Sequence, residues 1–191
     1  MKKMKSKFAE IKKEIEKILP NSPLDFEPIH SKLVLKYVLK LKPDADEALK
    51  IAALAHDIER AVTGITEKDL KDYSKIDEFK KEHSIRSSKI ISDLMKSNGY
   101  DNKVIERVKY LVDNHEFGGK LDAEILKDAD SLAFFDYNIP SVFKRNGRER
   151  VIEKIKFMYR RLSSKSRKLV DGMKFKDKEI SLLVKEAVSQ I

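Results

Sequence analysis

The chain has 191 residues, 41% of them hydrophobic and 38% charged, with a formal net charge of +9. That length suits one domain with a substantial core, and the absence of cysteine excludes disulfides and thiolate metal sites. No apolar run approaches the length of a membrane span, so the expectation is a soluble, cytoplasmic protein with no membrane partner.

The predicted elements are helical nearly everywhere. The opening stretch "MKKMKSKFAEIKKEIEKILP" is basic but amphipathic, and charges interrupt it too often for the apolar core of a signal peptide. Its Ile11, Ile15, Ile18 and Leu19 form one stripe, and Pro20, Pro23 and Pro28 mark a linker. Ile29, Leu33, Val34, Tyr37, Val38 and Leu41 define a second helix. Pro43 and Asp44 open a third, with Glu47 placed for a capping box. It runs on through "EALKIAALAHDIE" and stops near Gly64. A short helix is expected in "TEKDLKDY", then one from Phe79 to Lys96 ended by Asn98–Gly99, and one from Asp101 to His115 ended by Gly118–Gly119. "LDAEILKDADSLAFFDY" is a further helix ended near Pro140, and two or three more complete the chain. No segment alternates as a strand does.

The four histidines, His30, His56, His83 and His115, each fall on a predicted helix or at its end, on or beside its inward face. One such histidine is ordinarily a core residue with a hydrogen-bond partner. Four of four point to a metal cluster. Neutral imidazoles and carboxylates on facing helices can converge on one or two cations, which offset the cost of burying the carboxylates. Adjacent His56 and Asp57 point about 100° apart on a helix, so a cation off the helix end is within reach of both.

The ordered series His30 in "IHSKLVLKYVLKL", His56–Asp57 in "LAHDIER" and Asp130 in "KDADSLAFF" resembles the HD-domain metal-dependent phosphohydrolases. His83 in "EHSIRSSKI" and His115 in "VDNHE" fall where the dinuclear members of that family place two more histidines. "IEKIKFMYRRLSSKSRK" is similar to the family's last core helix. Asp128 and Asp136 are near the last ligand, but the Ala-Asp-x-Leu context favours Asp130. Ser131 stands where the family usually carries a basic residue.

The resemblance implies an all-α, single-domain helical bundle of the HD-domain type over residues 1–191, with a central metal site. Residues 1–28 would form an N-terminal helix and linker, 29–167 the core and 168–191 a C-terminal helix. His30, His56, Asp57 and Asp130 would bind one cation, and His83 and His115 would complete a second with Asp57 bridging. Mixed nitrogen and oxygen ligands suit iron, manganese, cobalt or nickel, and magnesium less well. Such cations lower the pKa of water so that hydroxide exists at neutral pH. The function implied is hydrolysis of a nucleotide or another small phosphate ester, with Asp57 and Glu59 as catalytic residues. Glu59 and Arg60 are expected at the mouth of the site. Arg60 and Arg86 lie about one helical turn from His56 and His83, close enough to bind a phosphate.

The segment from Lys144 to Lys168 is the most unevenly charged in the chain, with Glu149 and Glu153 its only acids. It suits the phosphates of a substrate or, less well, a nucleic acid, and Phe157 within it is expected to pack inward with Ile152 and Ile155. Two alternatives stand beside the hydrolase. One is a di-iron oxygenase, since oxygenases that look like this family use the same six ligands. The other is a non-catalytic polyanion-binding protein with a structural metal.

Overall fold

The computed structural model describes residues 6–120 and 122–191. Among them there is no strand, and the chain is an all-α bundle built around one short apolar helix. That helix is α3 (Glu47–Ala55), after α1 (Lys7–Ile18) and α2 (Glu27–Leu41). Seven of its nine residues, Ala48, Leu49 and Ile51 to Ala55, are buried. A helix apolar all round belongs inside, and its alanines let α1, α2, α6 (Asn102–Asp113) and α7 (Ala123–Ala133) close around it.

The third helix differs from the sequence expectation at both ends. Its N-cap is Asp46 rather than Asp44, and the Asp46 carboxylate accepts from Leu49 N at 2.9 Å. Its far end breaks at His56–Asp57, and the chain resumes as α4 (Ile58–Thr63), closed by Gly64 at φ 74°. Asp57 sits at φ −108°, ψ 14°, the sparsely populated bridge region where many site residues are found. The expected helix in "TEKDLKDY" is two single 3₁₀ turns, Glu67–Asp69 and Tyr73–Lys75.

α5 (Ile76–Ser97) and α6 pack together. The buried face of α5 is lined by Ser84, Ser87, Ser88 and Ser92, small residues that permit close approach. α7 does not end near Pro140. It passes through a wider π-helical turn, Phe134–Asn138, directly into α8 (Ile139–Arg160). Pro140 stands in the first turn of α8, directly after the π-helical turn that interrupts the regular hydrogen-bond ladder. α8 is bent at Gly147, and the expected last core helix ends at Arg160. Ser163 then caps α9 (Ser164–Asp171), and α10 (Lys178–Ser189) packs back on α8. Asp128 causes that division: it accepts from Ser163 N at 3.0 Å, from Ser163 Oγ, and from Ser166 Oγ at 2.7 Å. No described helix is long and apolar enough to cross a membrane.

Candidate metal centre

Five pieces of the bundle deliver the site. His30 stands in the first turn of α2, and His56 and Asp57 in the break between α3 and α4. His83 is on α5, His115 in the turn after α6, and Asp130 on α7. None of the six is more than 8% exposed. They form two groups, His30 with His56 and Asp130, and Asp57 with His83 and His115. Within each group the candidate ligand atoms lie within 4.8 Å of one another.

Hydrogen bonds set the direction of the rings. His56 Nδ1 donates to Ala53 O at 3.1 Å and His115 Nδ1 to Val112 O at 2.7 Å. A carbonyl only accepts, so the other nitrogen of each neutral ring carries the lone pair. His83 Nδ1 meets Glu59 Oε2 at 2.7 Å, which turns its Nε2 to Asp57 Oδ1 at 2.8 Å. Such carboxylate or carbonyl partners behind a ring are the usual support of a metal-binding imidazole.

The front of the cluster is incompletely satisfied. His56 Nε2 and His30 Nε2 stand 3.3 Å apart, with Asp130 Oδ1 3.1 Å from the latter. The His56 lone pair thus faces His30 Nε2 and a carboxylate oxygen, a set that needs a proton or a cation among its members. His115 Nε2 is buried with no hydrogen-bond partner. The two oxygens of Asp57 part company: Oδ1 faces His83 and His115, the latter at 3.5 Å, while Oδ2 is 3.4 Å from His56 Nε2 and accepts from Arg60. The donor set fits one or two divalent cations.

The electrostatics agree. Burial opposes ionisation of Asp57, but Arg60 and His56 outweigh it and hold the carboxyl well below the usual range. For Asp130 burial is likewise outweighed, here by His30 and Arg161. Burial pulls the His56 pKa down, but Asp57, Asp130 and Glu27 overcome it and hold it at about 9. The carboxylates thus demand positive charge, and His56 supplies it as a proton when no cation does.

The expected substrate residues are placed differently. Glu59 is fully buried behind His83 rather than at the mouth, with Arg86 Nε at 2.7 Å and Thr63 Oγ1 at 3.0 Å on its Oε1. Arg86 is therefore committed to Glu59 and lines no cavity at the cluster. Arg60 does line the cavity, held by Asp57 and by Glu27 at 3.0 Å. Ser131 is buried and donates to Lys127 O, and Asp136 accepts from Tyr37 and Lys36. Phe157 does not pack inward. It is 36% exposed and lies beneath cations, with Lys80 Nζ 3.5 Å from its ring centre.

Asp57, His30 and Asp130 open on a cavity of about 470 Å³, within the usual range for a small-molecule site. Four of its cations, Arg145, Arg150, Lys154 and Arg161, come from the basic 144–168 segment, whereas Glu67 and Glu116 were not singled out from the sequence. Arg161 reaches Asp130 Oδ2 at 3.1 Å, Glu116 Oε2 at 3.4 Å and His115 O at 2.8 Å, so it ties one group to the other. Lys154 pairs with Glu67 at 3.2 Å. Burial raises the Glu116 pKa, but Arg161 and Lys80 overcome it and hold it at about 2. The only sequence signal for this wall was the unbalanced charge of residues 144–168.

An all-α protein with paired, buried histidine–aspartate groups on a cationic cavity is the class these features define. The chain belongs to the family described as a domain of unknown function, DUF4202, whose model matches residues 10–183. No curated protein and no solved structure matches it.

Proposed function

We propose that the protein is a metal-dependent phosphohydrolase of the HD type, acting on a nucleotide or another small phosphate ester. The observation that carries the reading is Asp57. It turns one oxygen toward each histidine group on a cavity walled by arginine and lysine. His30, His56 and Asp130 would hold one divalent cation, and Asp57, His83 and His115 a second. Bound there, such cations lower the pKa of water and neutralise phosphoryl charge. The chain's own residues do the rest. Arg60 and Arg161 brace Asp57 and Asp130 from the cavity side and add positive charge where a phosphate would lie. Burial of the cluster keeps bulk water from weakening those contacts. Glu59 and Arg86 act through His83, as positioning residues.

The test is metal analysis of the purified protein, then assay of the iron-, manganese-, cobalt- or nickel-loaded form on a panel of phosphate esters. Asp57→Asn should lower turnover by at least roughly 100-fold, since even a residue that only supports a metal ligand is worth 10–100-fold. A loaded protein that hydrolyses nothing on the panel, yet consumes oxygen once its iron is reduced, would replace this reading with the oxygenase.

A further inference from the structure

Six cationic side chains line the cavity against four carboxylates. Arg60, Arg161 and Lys154 are already paired. The other three, Lys68, Arg145 and Arg150, are not equally committed. Lys68 and Arg150 have no ion-pair partner among the described residues, and Arg145 has only the 87% exposed Asp25 at 3.9 Å. Both arginines rest on aromatic faces that hold them in place: Arg145 lies 4.8 Å from the ring centre of Phe26, and Arg150 5.3 Å from that of Tyr73.

The backbone explains how both come to one cavity. Residues five apart on a continuous helix point about 140° apart. Gly147, between them, sits at φ 77°, ψ 178°. This breaks the register of α8 so that Arg145 and Arg150 line the same space. We propose that this trio is a second anion site, and that the substrate carries a second phosphate besides the one cleaved. The inference rests on the phosphohydrolase reading for its first phosphate, whereas the second site stands on its own residues. Lys68 and Arg150 are exposed and Arg145 is half-buried, so all three can reach a phosphate that enters the cavity from solvent.

The probes are two matched pairs: adenosine 5′-monophosphate with adenosine 3′,5′-bisphosphate, and glucose 6-phosphate with glucose 1,6-bisphosphate. Binding to the metal-loaded protein is measured by calorimetry at fixed salt. In at least one pair the bisphosphate should bind about tenfold tighter or more, as one charge-assisted contact gives, and the pair that responds identifies the scaffold. Arg150→Gln and Arg145→Gln should each pull that ratio toward one with metal content retained. Equal affinity within both pairs, or a preference that survives both substitutions, would overturn the second site. Hydrolysis without any preference would sink this inference and leave the hydrolase standing. A preference without hydrolysis would do the reverse.

Discussion

Glu59 has no exposed atom, and His83, Arg86 and Thr63 occupy both of its oxygens. A carboxylate so enclosed orients an imidazole and has no line to a substrate. Its pKa is consistent with that: burial raises it, but the His83 and Arg86 hydrogen bonds win and keep it ionised. Glu59→Gln keeps the shape but turns an NH₂ toward a group that also donates. Affinity for the cation at Asp57, His83 and His115 should fall by roughly 10–100-fold, read by metal titration. Unfolding free energy should drop by about 1–3 kcal/mol. A variant that keeps its metal affinity but loses turnover at full occupancy would restore Glu59 as a proton acceptor. The same logic separates Asp128, Asp130 and Asp136. Three nearby carboxylates go to a serine turn, to the histidines and to a tyrosine, and the one at the histidines is Asp130, as its Ala-Asp-x-Leu context expects.

Two breaks in helices place the functional groups. At His56–Asp57 the axis of α3 stops, so Asp57 no longer follows the 100° step from His56 and can turn its oxygens to both groups. The second break is Gly147. Its dihedral angles are essentially reserved for glycine, while a Cβ built there meets nothing within 4 Å. Gly147→Ala should therefore cost backbone strain and no clash, about 1–3 kcal/mol, measured by denaturant unfolding. A loss below about 0.5 kcal/mol would mean that the bend is not held by the glycine.

On the scale of the whole molecule, the cluster makes stability depend on metal and pH together. A cation at a hundred times its dissociation constant stabilises by about 2.7 kcal/mol, or roughly 5–11 °C in Tm for a chain of this size. Chelation should remove that margin in calorimetry. In the metal-free protein His56 is held at about 9, above its ordinary 6.5. Its protonated form therefore contributes stability that is full below pH 6.5 and lost as pH rises through about 9. A cation needs the neutral ring and competes with that proton. The Tm gap between loaded and stripped protein should widen from pH 6.5 to 9 and narrow on acidification. A gap independent of pH would show that His56 is not displaced by metal.

The sequence by itself determined the all-α class and the six side chains that gather at the centre. Apolar period, caps and glycine stops are local signals, and a histidine on an inward face can be read from its own helix. Only the tertiary structure decided what surrounds them. The burial of Glu59 behind His83, the commitment of Arg86 and the partners that hold Asp128 and Asp136 away from the cluster depend on residues distant in the chain. Arg161 lies 31 positions from Asp130 and 45 from Glu116. The two helix breaks had no period to betray them either. "AALAHDIER" and "KRNGRER" keep helix-forming residues on both sides, and the bend at each is set by packing and by one backbone conformation.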